Sequence, residues 1–476
     1  MRDDVAELLA TLPAEDEEAA GAAGAVLDAV STRPLPTGRL SRLWSMGSLQ
    51  ARVAAAYALC RARELFAAPE EQRRLRDGMH LANALRLLDG MGYLRGAIVK
   101  VGQTLAAYPN VAPDSWSETL GALHAEAPPM HFSLLREQMR RDLRAEPEEA
   151  FGSFETRAFA AASLGQVHRA TLRTGEPVAV KVQYPGIARA LKADFDNARA
   201  LFRLMPFMKE RETLAATLEN ITTTLLEETD YRREADTAEE VRRLLSGLDD
   251  VVVPRVHRAV SGDRTLTTDL LGGDHLAAFL AKDPSQEERD RRGAQMLRVA
   301  ARLYYSGRLL LADPNPGNFL FLPDGRLGVI DFGCYRRFDD ADWEAVLLVI
   351  RSFRSGWRDF DRVMQACALL TDEELRDEER MRFHRDLCEW TVEPVRDDGA
   401  FDFGDPEFFK RGIRLVGTGA EKRWMRQRPV FLWQSRSFFG LRASLFRMRA
   451  RVHERRIDDE EIARAGLAVG ARRDAS

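Results

Sequence analysis

Three oxygen-bearing side chains, Asp313, Asn318 and Asp331, stand 5 and 13 residues apart in ADPNPGNFLFLPDGRLGVIDFG, a stretch that ends in Asp331-Phe332-Gly333. These residue types at this spacing suit phosphoryl transfer. The first carboxylate would meet the proton of an attacking hydroxyl or water. The amide and the second carboxylate would hold magnesium against nucleotide phosphates. The expected ligand is therefore Mg-ATP. An Asp-Phe-Gly triplet alone would be weak support, but with Val178-Ala179-Val180-Lys181 far upstream the pattern becomes much more specific.

Lys181 closes a strand-like run that is expected to be buried on both faces. An ammonium there needs partners, because desolvation disfavours its charged form. Phosphoryl-transfer chemistry supplies them in the α- and β-phosphates and a helix carboxylate. In isolation, a strand-end lysine reaching back to water explains the run better; the downstream trio reverses that preference. The acidic partner is sought in Glu227-Glu228-Thr229-Asp230-Tyr231-Arg232-Arg233-Glu234. If the stretch is helical, Asp230 and Glu234 share a face, and Glu228 lies about 120° round from Glu234. Glu234 is accordingly assigned to Lys181, and Glu228 and Asp230 are kept for a second cation. Only seven of the 70 basic residues are lysine, and Lys100 and Lys181 both fall inside motifs. A site that needs a compact ammonium rather than a planar fork would retain lysine in such a chain.

Composition bounds the alternatives. A length of 476 residues allows two or three domains, and 45% hydrophobic with 30% charged residues is ordinary for a globular protein. A net charge of -4 argues against a general nucleic-acid binder. The four cysteines are scattered and form no C-x-x-C, so neither a zinc site nor a disulfide framework is indicated. The start, MRDDVAELLA, lacks a signal-peptide core, and no apolar run is long enough to span a bilayer. A reducing cytoplasm is the default compartment, with any membrane contact peripheral and on the inner face.

Residues 1–48 read as an acidic and linker segment, partly disordered, and 49–145 as a helical extension. A small strand-rich lobe is expected over 146–272 and a mainly helical lobe over 273–476. Helical signals cover 133–143. Strand signals at 158–168, 167–172 and 178–182 include a turn at Thr174-Gly175-Glu176. A helix with Leu214, Leu218, Ile221 and Leu225 on one face follows, then strands over 251–256 and 264–271. This order gives an α+β, protein-kinase-like bilobal fold with nucleotide chemistry in the cleft.

Where an ordinary kinase places G-x-G-x-x-G, this chain has Ala160-Ala161-Ala162-Ser163-Leu164-Gly165-Gln166-Val167-His168. Methyl groups replace glycines, so backbone amides approach phosphate less freely. This segment, VAVKVQYPGI, and the ADPxPGN and DFG segments together resemble the UbiB/AarF family of atypical kinases. Lys100-Val101-Gly102-Gln103 matches that family's K-x-G-Q, and Glu228-Thr229-Asp230 its E-x-D; the matches run in order over 94–335. The resemblance implies that the N-terminal extension folds into the cleft, with Lys100 and Gln103 near Glu228 and Asp230 above the phosphates. There they would close the cleft and restrain phosphotransfer to protein. It also implies ATP and Mg2+ as cofactors, with Ala160, Ala161, Ala162 and Ser163 over the nucleotide. Asp269 and Leu271 would stand at the adenine-contacting hinge, beside Thr268 as a small gatekeeper. The implied activity is slow ATPase or phosphotransfer in isoprenoid-quinone (ubiquinone) biosynthesis or lipid homeostasis. Quinone-pathway proteins or peripheral membrane lipid are the implied partners.

The chain departs from the family pattern H-A-D-P-H-P-G-N at both histidines, which are Leu311 and Asn315. Packing beneath Phe332 is therefore expected to differ, and a titratable group is missing from the loop. Three other readings compete: a nucleotide-binding pseudokinase scaffold, a small-molecule kinase of the aminoglycoside-phosphotransferase kind, and a lipid-binding protein with a vestigial cleft. The complete DFG and the K-x-G-Q segment count against the second. Residues 442–456 read as a basic amphipathic helix, with Leu441, Leu445, Met448 and Val452 on its apolar side. A helix packed on the lobe with solvated arginines is the commoner explanation. Cys334 reads as a small filler, His168 as a strand histidine with a hydrogen-bonding duty, and Trp343, Trp357, Trp390, Trp424 and Trp433 as core.

Overall fold

The computed structural model describes residues 132–470, apart from 163, 190, 193–195, 197–221, 224–225, 314 and 423. Lys100, Gln103, Ser163 and the helix expected around Leu214–Leu225 therefore lie outside the described residues. Two compact units divide the chain. The first ends at Asp230 and takes in Val260–Thr265; the second consists of Tyr231–Ala259 and the chain from Leu266 onward.

In the first unit, helix α1 (Phe132–Leu143) precedes strands β1 (Ser153–Phe154), β2 (Ala160–Ala162), β3 (Gly165–Thr171) and β4 (Pro177–Gln183). Both β1 and β2 pair with β3, and β3 pairs antiparallel with β4. The turn between β3 and β4 uses Gly175 at φ 100°, a left-handed conformation that glycine adopts without penalty. The period-2 pattern of β4 buries Val178, Val180 and Val182 completely, against Leu135 and Met139 of α1 and Phe151. Lys181 belongs to the opposite face, where Ala179 and Lys181 are half-buried and Gln183 is buried. His168 is fully buried, with Nδ1 2.9 Å from the Glu155 carbonyl and the Phe154 ring stacked 5.3 Å away. Burial pushes its pKa down, which keeps the ring neutral. The hydrogen-bonding duty expected of this histidine is met.

The second unit starts with α2 (Tyr231–Leu245), β5 (Val251–Val252) and β6 (Thr265–Asp269), whose first residue belongs to the first unit. Strand signal at 251–256 thins to two paired residues plus a bridge from Val256 to Thr268. After a short helix, α3 (Leu276–Ala281), comes α4 (Gln286–Gly307), which organises the unit. Ser285 accepts a hydrogen bond from the Glu288 amide at its start, and Glu287 and Glu288 complement its positive end. Met296, Val299 and Leu303 lie at helical spacing and are buried. Strands β7 (Leu309–Leu311), β8 (Phe319–Phe321), β9 (Leu327–Val329) and β10 (Tyr335–Arg337) follow. Then come α5 (Asp340–Arg354), α6 (Glu378–Val392), β11 (Phe401–Asp402), α7 (Pro406–Glu421), α8 (Pro429–Met448), β12 (Arg451–Val452) and α9 (Glu454–Arg464).

The single helix expected over 442–456 does not exist. Arg449 takes a left-handed conformation at φ 51°, ends α8, and lets Val452 enter β12, which pairs with β11. Leu441, Leu445, Met448 and Val452 all join the buried core of the unit. Among the tryptophans, Trp343, Trp357 and Trp390 are buried, as expected of core residues. Among the described residues no helix is long and apolar enough to cross a membrane.

Candidate functional site

Within the second unit, backbone pairing gathers the three residues picked out by spacing. Arg308, left-handed at φ 47°, ends α4 and turns the chain straight into β7. β7 pairs antiparallel with β10, Leu311 opposite Tyr335, and the ladder continues where the Ala312 amide donates to the Cys334 carbonyl at 3.0 Å. That pairing sets Asp313 beside the Asp-Phe-Gly segment. β8 and β9 form a hairpin with Phe319 opposite Val329, and the Ile330 amide donates to the Asn318 carbonyl at 3.0 Å. Asn318 and Asp331 are thus neighbours at the open end of that hairpin. The Asn318 side-chain amide donates to the Asp313 carbonyl at 2.9 Å, and Asp331 Oδ1 accepts from the Gly333 amide at 2.9 Å. Asp313 and Asn318 are buried, and Asp331 is half-buried.

The two changed histidine positions have structural explanations. Leu311 is buried in the same apolar cluster as Phe332 and Tyr335, and the rings of the latter two stack 6.3 Å apart. The floor beneath Phe332 is therefore apolar and aromatic. Asn315 accepts a hydrogen bond from the Gly317 amide at 2.9 Å, which caps the tight turn Pro316–Asn318.

In the first unit, register defines a second cluster. Ala160, Val167 and Lys181 are directly opposed across β2, β3 and β4, and Ala162, Gly165 and Gln183 form the next row on the same face. The alanine-rich segment is thus a paired strand carrying Ala160 and Ala162 on the Lys181 face. A Cβ at Gly165 would lie 2.2 Å from the Val182 carbonyl oxygen, so this glycine serves close strand packing. Gln183 donates to the Thr229 carbonyl at 3.0 Å, and Arg264 donates both to that carbonyl at 2.6 Å and to Gln183 at 2.9 Å. The turn bearing Glu228 and Asp230 is thereby tied to the end of the Lys181 strand. Glu228 is buried and Asp230 exposed.

The helix assumed over 227–234 is interrupted. Glu228 and Thr229 form a turn, and α2 begins only at Tyr231, so Asp230 and Glu234 do not share a helical face. Glu234 is buried in the first turn of α2. Lys181 belongs to the first unit and Glu234 to the second. The Asp269 carboxylate is committed within its own unit, accepting from the Arg255 amide at 3.0 Å and lying 2.8 Å from His257 Nε2. Burial alone would raise its pKa. The Arg255 and His257 hydrogen bonds outweigh that and hold the carboxyl below its ordinary range. Leu271 reaches over Gly328 of β9.

Residue spacing gave no sign of two contributors. One is the Gln183–Thr229–Arg264 tie, signalled only by a polar residue at an otherwise apolar strand end. The other is Arg436 on α8, whose Nη2 lies 3.8 Å from Asp313 Oδ1. In so arginine-rich a chain, nothing marks this one out.

The donor set suits a hard divalent cation. Asn318 uses its amide nitrogen for Asp313 and Asp331 one oxygen for Gly333, so an amide oxygen and a second carboxylate oxygen are of the type such an ion takes.

The model of the ABC1 atypical kinase-like domain matches residues 122–366. The atypical kinase COQ8B, mitochondrial, of Rattus norvegicus is similar, at 30% identity over 391 residues, covering 81% of this chain and 73% of its own length. The atypical kinase coq-8, mitochondrial, of Caenorhabditis elegans is 30% identical over 281 residues, 58% of this chain and 37% of that protein. Among solved structures, the Mycobacterium tuberculosis protein Rv3197 in complex with erythromycin is similar, with a TM-score of 0.58 and 26% identity. That match covers 80% of this chain and 96% of the other.

Proposed function

Because this chain belongs to the ABC1 atypical kinase-like (UbiB/AarF) family, we propose that it binds Mg-ATP and turns it over slowly, by hydrolysis or phosphotransfer, in isoprenoid-quinone or lipid metabolism. The observation that carries this reading is the convergence of Asp313, Asn318 and Asp331 through the β7–β10 and β8–β9 pairings. Asn318 and Asp331 would hold magnesium, which when bound offsets charge on the phosphate oxygens. Asp313 orients the attacking hydroxyl or water and accepts its proton. Lys181, with Glu234 as its carboxylate, takes the α- and β-phosphates, and the Ala160–Ala162 strand lies over the nucleotide. Adenine contacts at Asp269 and Leu271 would be made by backbone, since the Asp269 carboxylate is already engaged. Lys100 and Gln103, with Glu228 and Asp230, restrain transfer to protein.

Thermal-shift titration with ATP and ADP, with and without magnesium, tests the reading. The wild type is expected to gain stability with Mg-ATP, and Asp331→Asn to lose most of that magnesium-dependent gain. An unshifted wild type, or an Asp331→Asn variant shifted equally, refutes it. Single-turnover phosphate release separates an enzyme from a pseudokinase scaffold. The macrolide in the complex of the similar mycobacterial protein supports a second reading, small-molecule binding, and erythromycin titration in the same assay checks it.

A further inference from the structure

Asp313 faces a cation contributed from 123 positions further along the chain. Arg436 sits in the middle of α8, with Nη2 3.8 Å from Asp313 Oδ1, and the two side chains are 14% and 10% exposed. We propose that Arg436 is a positioning residue for the Asp313 carboxylate, holding it oriented towards the attacking group without itself binding nucleotide. This rests on the role given to Asp313 above.

Several observations support a built arrangement over a chance surface pair. The separation exceeds that of a short charge-assisted hydrogen bond, so the pair is held mainly by charge. Both side chains are largely withdrawn from water, where screening by salt is weakest. The guanidinium is also aimed. Trp433 lies three residues earlier on the same helical face, and the Arg436 guanidinium carbon is 5.6 Å from its ring centre. Arg336, on β10, places its own guanidinium 5.2 Å from that ring. β10 is the partner of β7, the strand that delivers Asp313. One indole is therefore approached both by an arginine of β10 and by an arginine of α8, which ties the helix to the ladder that carries Asp313. α8 packs directly on β7 and on the turn Pro316–Asn318.

The test uses the full-length protein with Arg436→Met, which keeps the aliphatic stem and removes the charge, and Arg436→Lys, which restores a charge. Arg436→Met is expected to lower kcat for ATP hydrolysis about tenfold or more, with the ATP dissociation constant changed less than about twofold. Arg436→Lys should recover a large part of kcat. Melting temperatures of Arg436→Met, Asp313→Asn and the double variant supply a readout independent of turnover, and the two losses should be clearly non-additive. Wild-type kcat in Arg436→Met, equal defects in the Met and Lys variants, or additive melting losses would each overturn the proposal. A wild type that binds Mg-ATP without hydrolysing it ends the turnover reading alone, and melting coupling then decides the pair. A wild type with no nucleotide response removes both.

Discussion

Gly165 shows how a residue that looks like part of a phosphate loop can be bound to a different duty. Its backbone is pressed against β4, where an added methyl would meet the Val182 carbonyl at 2.2 Å. Gly165→Ala is therefore expected to cost about 1–3 kcal/mol through overpacking. Urea unfolding measures the loss, and an unchanged midpoint would show that the strands can part. The same scale explains which site residues could be recognised from spacing alone. Asp313, Asn318 and Asp331 lie within one short stretch whose intervals are set by a turn and a hairpin, so local sequence encodes their meeting. Arg436 reaches Asp313 only because a distant helix packs there. No interval in the chain records that.

At the scale of elements, α4 is fastened at both ends of its length. Arg292 donates to the Leu322 and Arg326 carbonyls, each at 2.9 Å, gripping the turn of the β8–β9 hairpin. Further along, Arg302 meets Glu461 of α9 in a two-point contact, with Nη2 to Oε1 at 2.8 Å and Nε bonded to Oε2. Both side chains are almost wholly buried. Glu461→Ala strands a buried guanidinium and is expected to cost about 3–5 kcal/mol, whereas replacing both residues by apolar ones of similar volume should cost much less. Chemical denaturation of the single and double variants distinguishes these outcomes; equal losses would mean that the pair is solvated. Elements were legible where periodicity continues unbroken, as in α1 and the β3–β4 hairpin with its glycine turn. They were misread where the period runs through a break. Charges at 227–234 keep helical spacing across a turn at Glu228 and Thr229. Apolar residues at 441–452 do the same across Arg449, because spacing records which side chains are buried and not whether the backbone between them is continuous.

For the molecule as a whole, stability depends on buried histidines staying neutral. His384 is buried, packs edge-on against Phe383 at 5.1 Å, and its Nε2 has no hydrogen-bond partner among the described residues. Burial, aided by Arg380, lowers its pKa from 6.5 to about 4. The unfolded chain thus binds the proton more tightly than the folded one. The stabilisation is complete above the unfolded value and is lost as pH falls from 6.5 towards 4. The expected loss from this group is about 3 kcal/mol, at about 1.4 kcal/mol per pKa unit. His168 is shifted in the same direction. Unfolding followed across that range should show a shallower slope in His384→Leu than in the wild type; identical slopes would discount the histidine. The general architecture was legible because β-rich segments precede helical ones and each lobe carries its own motif. Long-range ties such as Gln183 to Thr229 were not, since a backbone carbonyl accepts from any donor whatever side chain it bears.

The packing of α8 on β7 has a bearing on where this family's domain ends. The recognisable signature stops at residue 366, yet the helix packed on β7 and the turn Pro316–Asn318 begins at Pro429. A gene trimmed at the edge of the signature, or interrupted by an early stop codon in the intervening stretch, would encode every diagnostic motif of the described site and still leave Asp313 without that helix. Such a product would pass a motif search as intact while lacking Arg436, the cation that faces Asp313.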